Sequence, residues 1–313
     1  MTRERTAGVR RPAARRTATT AAVVTALLAA LGACTAEPDV ASHAASAGTA
    51  VTAAGPRIVT DANIVALGDS LTEGVGPGAP YPTMLADLAP GADVVNLGHG
   101  GATAADVAVI FGAVTVAVTP AGGALPASGG VDVELASDPT VGSYHSTLHG
   151  TLAGVPGMLD LHLGTFTRDS PGVAVPLPGG APFEPDAAPR FRDRIAIIWV
   201  GQNDLAFGWP YEVTAPRDAA AAMIATLGPT PRYVVVGVTT TNPDLIATVA
   251  AQNQALASTF GDHFLDMQAA LGAPGEPLDR ALTLDGVHFT AQTRAERITP
   301  AIAEKLVALG YGR

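Results

Sequence analysis

The chain has 313 residues, 48% of them hydrophobic, 15% charged and 5% aromatic, enough to bury a full core and far from the composition of a disordered chain. Cys34 is the only cysteine, which excludes intramolecular disulfides and zinc sites built on several cysteines. Of 18 basic and 28 acidic residues, six basic and one acidic fall in residues 1–33, leaving the remainder at net −15; so negative a surface repels phosphate backbones and excludes nucleic acid from the expected partners.

In chain order, an arginine-rich stretch to Arg16 is followed by an uncharged run, Thr17–Ala33, centred on Ala21–Leu31. A basic start and a short apolar run are the layout of a secretory signal. With 17 residues, several of them threonine or alanine, the run falls short of the about 20 strongly apolar residues that span a bilayer. It ends Leu31-Gly32-Ala33-Cys34, which resembles the lipobox of bacterial lipoproteins. The resemblance implies a signal peptide over 1–33, a diacylglyceryl group on Cys34, and a membrane partner held through this N-terminal lipid anchor on the extracytoplasmic side. Each buried methylene adds about 0.8 kcal/mol to such an anchor. Residues 34–56, rich in alanine, serine, threonine and glycine, read as a flexible tether, and the folded domain is expected over 57–313.

Within that domain, short apolar runs end in polar or glycine residues: Ile64–Leu67, Asp93–Leu97, Ile195–Val200, Tyr233–Val238 and Phe264-Leu265. Helix-like stretches lie between them, among them Pro82–Leu88, Arg217–Leu227 and Leu245–Phe260. Near-continuous Val/Ile runs alternating with helices predict a parallel sheet covered on both faces. Thr299-Pro300 reads as the start of a last helix that places Ile302, Leu306 and Leu309 on one face and stops at Gly310. From about 112 to 190 the helical period is missing. Alternating segments (Val114–Val118, Val131–Leu135, Leu161–Thr167, Val173–Leu177) separated by Gly/Pro turns predict a β-rich insertion. Because it follows the second apolar run and its polar block, its root is expected near the rim of the site, where it would restrict the groups that enter; a decorative or partner-binding module is the alternative reading.

Ligands of an open parallel sheet bind beyond the carboxyl ends of its strands, so the polar blocks at those ends carry the functional expectation. They are Gly68-Asp69-Ser70-Leu71, Asn96-Leu97-Gly98-His99-Gly100-Gly101-Ala102-Thr103 and Gly201-Gln202-Asn203-Asp204, with Asp285-Gly286-Val287-His288 before the last helix. Together they supply a hydroxyl, a histidine with a nearby carboxylate, a side-chain amide and glycine N–H groups, the parts of an acyl-transfer site. Asn96 reads as a loop anchor, Asp69 and Asp204 as structural hydrogen-bonders. His99-Gly100-Gly101 is similar to the oxyanion motif of α/β-hydrolases, but the Gly-x-Ser-x-Gly elbow that fold requires is absent. His145, His149 and His162 lack metal-ligand spacing and read as surface or turn residues.

Four blocks in this order resemble those of the GDSL/SGNH hydrolase superfamily, over about 62–111 and 193–309. The resemblance implies a flavodoxin-like three-layer α/β/α sandwich with a five-stranded parallel sheet, here carrying the β-rich insertion, and a serine hydrolase that uses no metal or cofactor. By position it makes Ser70 the nucleophile, His288 the base and Asp285 its orienter. The Ser70 N–H, the Gly101 N–H and the Asn203 side chain would form the oxyanion hole. The expected substrate is an O-acyl ester of a small molecule or glycan. The same residues leave open acyl transfer to an acceptor other than water, and the same fold leaves open a non-catalytic ligand-binding surface lipoprotein.

Overall fold

A computed structural model describes residues 62–136, 147–207 and 212–312; the expected signal peptide (1–33), Cys34 and the tether (34–56) lie outside these residues. In chain order the first elements are β1 (Ile64–Gly68), α1 (Ser70–Glu73), α2 (Tyr81–Leu88), β2 (Val94–Gly98) and α3 (Ala104–Ile110). The insertion contributes β3 (Val116–Pro120), β4 (Ala124–Leu125), β5 (Gly130–Ala136), β6 (Thr147–Leu152), β7 (Val155–Asp160), β8 (Thr165–Arg168), β9 (Val175–Pro176) and β10 (Ala181–Pro185). After α4 (Ala187–Phe191) come β11 (Ile195–Trp199), α5 (Gln202–Phe207), α6 (Ala215–Ala225), β12 (Arg232–Val236), α7 (Ile246–Phe260), β13 (Phe264–Leu265) and α8 (Met267–Leu271).

The main sheet is parallel, in the order β13-β12-β11-β1-β2. Counting only its own five strands this is 2-1-3-4-5, the flavodoxin-like doubly wound arrangement. Its strands point alternate residues to opposite faces. Val65, Leu67, Ala196, Ile198 and Val235 join α3, α6 and α7 in one core, whereas Ile64, Ala66, Ile195, Ile197 and Trp199 join α2, α8 and the C-terminal helix in the other. The near-continuous apolar runs are therefore buried on both faces, as a parallel sheet demands.

The C-terminal helix differs from expectation. Its N-cap is Thr290, whose hydroxyl accepts from the Thr293 N–H, not Thr299. A helical turn over Ala291–Thr293 passes through a π-helical stretch, Arg294–Ile298, into α9 (Thr299–Ala308). Pro300 lacks the N–H that would continue an α-ladder, and the π turn before it accommodates the loss.

The β-rich insertion folds as a closed six-stranded barrel, β10-β3-β5-β8-β7-β6. Leu161–Thr167 is not one strand: Thr165 opens β8, and the residues before it form the turn from β7. β6, β7 and β10 have no counterpart among the expected segments. Gly150 and Gly157, paired across β6 and β7, leave room for the rings of Phe183 and Phe166, which a Cβ at either glycine would strike. The barrel interior shares one apolar cluster with α3 and the adjoining sheet face. The insertion does not root at the carboxyl ends of the strands. α3 carries the chain back along the sheet, so the insertion leaves after Phe111 and returns at Arg194, whose guanidinium donates to the carbonyls of Ile64 and Asp93. Both mark the amino ends of β1 and β2, opposite the expected site.

The hairpin β6–β7 turns on Ala153 and Gly154, both with positive φ (51° and 77°), the pattern of a type I′ turn. Alanine is strained there and asparagine is not. Ala153→Asn is therefore expected to stabilise the protein by about 0.5 kcal/mol, read as a higher urea midpoint at unchanged m-value.

Candidate active site

β1 ends at Gly68, where a Cβ would lie 2.4 Å from the Trp199 carbonyl oxygen and closer still to the Thr72 side chain. Only glycine lets the chain turn there from strand directly into α1. Asp69 caps that short helix, its Oδ1 accepting from the Leu71 N–H at 2.9 Å, and Ser70 is the first helical residue. Ser70 is 8% exposed, with its backbone N–H among the donors that a helix start leaves without an intrahelical acceptor.

His288 reaches the same place from the other end of the chain. Its Nε2 lies 2.9 Å from Ser70 Oγ and its Nδ1 lies 2.6 Å from Asp285 Oδ2. The other carboxylate oxygen of Asp285 accepts from the N–H groups of Val287 and His288 at 2.9 and 2.8 Å, and this local turn explains the spacing of three residues. Gly286, at φ 100°, is tied by its carbonyl to the Thr241 hydroxyl. Phe289, buried beside the Trp199 ring, anchors the loop in the core. Burial pulls the Asp285 carboxyl upward, but hydrogen bonds from the His288 ring and the two N–H groups outweigh it and hold the group below the usual aspartate value. An ionised Asp285 can only accept, so Nδ1 carries the imidazole proton and Nε2 faces Ser70 as an acceptor.

The second block packs onto α1. The Asn96 amide donates to the Thr72 carbonyl at 2.9 Å, and its oxygen accepts from the Gly98 N–H, an anchoring role. A Cβ at Gly100 would lie 3.9 Å from Ser70 Cβ, and Gly101 adopts φ 76°, so this glycine loop runs beside Ser70. Burial pushes the His99 imidazole below its ordinary value, against the pull of Glu73. From α5, the Asn203 amide donates to the Ala102 carbonyl at 3.0 Å, and Asp204 accepts from the Ala104 N–H at 2.9 Å. Asn203 thus holds the glycine loop with one N–H and has a second to offer.

Asp69 is fully buried, and its Oδ2 has no hydrogen-bond partner. Burial, with repulsion from Asp204 and Glu73, pushes its carboxyl up to about 7 against the Leu71 N–H. A folded value above the unfolded one means that the native state keeps a proton the unfolded chain releases, so stability falls as pH rises from about 4 to about 7. Asp69→Asn removes that dependence. Between pH 5 and pH 8 the wild type is expected to lose about 2 kcal/mol relative to the variant, measured by urea unfolding at both pH values.

In the barrel, the exposed His149 lies between Asp186 (2.8 Å) and Asp169 (2.9 Å), both of which raise its pKa. These partners, 37 and 20 residues away, leave no signal in local spacing. His162 sits in a turn, and His145 lies outside the described residues. Among the described residues no group of three or more His, Cys, Asp or Glu side chains could hold a metal ion.

The fold and this constellation define the chain as a doubly wound α/β protein with a hydrogen-bonded Ser–His–Asp array at the carboxyl ends of its strands. No protein-family model matches it. A tail spike protein of Salmonella phage epsilon15 is 30% identical over 205 residues, which cover 56% of this chain and 18% of that protein; the chain spans less than a fifth of this relative's length. Among solved structures it resembles a lipolytic G-D-S-L family protein from Veillonella parvula (12% identity, TM-score 0.42, 79% of this chain and 97% of the other). It also resembles a carbohydrate acetylesterase from Sinorhizobium meliloti (16%, 0.43, 79% and 99%) and an aryl esterase from M. smegmatis (17%, 0.41, 79% and 99%).

Proposed function

We propose that the chain is a serine hydrolase that cleaves O-acyl esters through an acyl-enzyme on Ser70. One observation carries the reading: Ser70 Oγ, His288 and Asp285 form a continuous hydrogen-bonded chain, with the tautomer that lets Nε2 accept a proton. Ser70 attacks the ester carbonyl as His288 takes its proton. The Ser70 and Gly101 N–H groups and the Asn203 amide meet the charge on the tetrahedral intermediate, each such donor contributing about 10²–10³ in rate. His288 then protonates the leaving alcohol, and water, activated by the same base, releases the acid and restores Ser70. Val75, Leu284 and Val287, large apolar side chains exposed beside these residues, offer a surface to an acyl or alkyl group. In this reading Cys34 carries the lipid that holds the enzyme to a membrane, with residues 34–56 as its tether.

Fluorophosphonate labelling tests the reading, since the probe bonds to an activated serine oxygen and releases fluoride. Wild type is expected to label, and Ser70→Ala to lose all labelling while its unfolding midpoint stays within a few degrees. A folded wild type that does not label, or a Ser70→Ala variant that still does, overturns it.

A further inference from the structure

Residues 74–78 read Gly-Val-Gly-Pro-Gly, and the three glycines have φ of 92°, 105° and 88°. The carbonyls of Val75 and Pro77, the two residues between these glycines, both face a cation. Arg294, at the start of the π-helical stretch and 2% exposed, donates from Nη1 to the Val75 carbonyl at 3.0 Å and from Nη2 to the Pro77 carbonyl. Nη1 also donates to the Phe289 carbonyl at 3.0 Å. Among the described residues Arg294 makes no ion pair, so its buried charge is met by these backbone dipoles. A buried charge with no counter-ion is retained only where its surroundings are organised for it, and π turns occur frequently at functional sites.

The two segments that Arg294 joins are those of the nucleophile and the base. The Val75 N–H donates to the Ser70 carbonyl at 3.1 Å, so the loop pulled by the guanidinium is bonded back to the residue bearing the nucleophile. Phe289 directly follows His288. The fork of the guanidinium, with donors fixed in one plane, suits this bridging of two carbonyl-bearing segments by a single side chain. The sequence contains a trace of it, an arginine on a buried helical face and a glycine-alternating loop after the first block, but nothing to pair them across more than 200 residues.

The geometry points to Arg294 as a positioning residue that sets the distance between Ser70 and His288 by clamping the Val75–Pro77 loop to the Phe289 carbonyl. It rests on the serine-hydrolase reading but acts without touching substrate. A shift of about 1 Å between reacting groups lowers rates by up to about 10²-fold. Arg294→Met is therefore expected to reduce kcat for a short-chain aryl ester by about 10- to 100-fold with KM changed less than about twofold, when rates are taken well below the unfolding midpoint. Arg294→Lys keeps the charge without the fork and is expected to recover part of that loss. Gly76→Ala distorts the loop itself, because its φ of 105° is one that alanine does not favour and its Cβ would lie 2.5 Å from Leu284 Cδ1; it is expected to give the same kcat signature and decides the matter if Arg294→Met does not fold. The downfield proton resonance of the Asp285–His288 hydrogen bond supplies a readout independent of turnover, and is expected to shift or broaden in Arg294→Met. Variants that unfold earlier but keep wild-type kcat and an unchanged resonance overturn the positioning role. A wild type that fails to label with fluorophosphonate overturns the hydrolase reading instead, and the resonance then still tests the clamp.

Discussion

Asp285→Asn is expected to lower kcat by about 10⁴-fold, as tautomer errors do in serine hydrolases, while leaving KM nearly unchanged. The carboxylate accepts from His288 Nδ1 at 2.6 Å and from two backbone N–H groups through its other oxygen. An asparagine keeps its oxygen on those two N–H groups and turns its amide toward the ring. Nδ1 must then accept, which moves the imidazole proton to Nε2. A protonated Nε2 donates toward Ser70 Oγ and cannot take its proton, so in the proposed mechanism Ser70 loses its base with little movement of any heavy atom. Steady-state kinetics on an aryl ester checks this. A loss below tenfold would mean that His288 holds its tautomer without Asp285.

Gly98→Ala is expected to destabilise the protein by about 3 kcal/mol and to lower the fluorophosphonate labelling rate at least about 10²-fold. A Cβ at Gly98 would lie 2.1 Å from the Glu73 nitrogen and 2.6 Å from Glu73 Cα and the Thr72 carbonyl carbon. All three atoms are backbone of α1, so the helix bearing Ser70 must move. Gly100→Ala is the matched comparison. Its Cβ would press on the end of the Glu73 side chain at 2.6 Å, which can swing into solvent, so it is expected to be much milder in both measurements. Urea unfolding and labelling time courses of the two variants distinguish backbone crowding from simple loss of glycine.

Much of the site is legible in the sequence because its parts are local. Asp285 and His288 meet through a turn four residues long, Asp69 caps the helix it precedes, and Ser70, Asn96 and Asn203 all stand at or near the ends of apolar runs. In a parallel sheet those ends share one edge, so chain order suffices to gather the chemistry. The same periodicity locates all five strands of the main sheet.

The insertion shows the limit. Its β character follows from composition and alternation, but β6 and β7 do not stand out, because Gly150 and Gly157 interrupt the apolar alternation at the places where phenylalanine rings fill the barrel, and β10 does not because Phe183 is its one buried residue. Block order points to a root at the site, yet the root lies at the opposite end of the sheet, since the direction of α3 decides where the chain leaves the core. Thr299-Pro300 resembles a helix start because the local pattern of cap and proline is the same whether a helix begins there or passes through a π turn.

What the sequence determined by itself is the set of chemical groups and the strand ends that present them, both properties of a few adjacent residues. Tertiary structure alone decided which groups meet across 218 residues, as Ser70 and His288 do, where the barrel stands, and that a buried Arg294 finds its partners in the carbonyls of a glycine loop. Backbone dipoles and close approaches carry no side-chain signature, so such contacts come into being only when the chain has folded and the direction of every N–H and C=O is set.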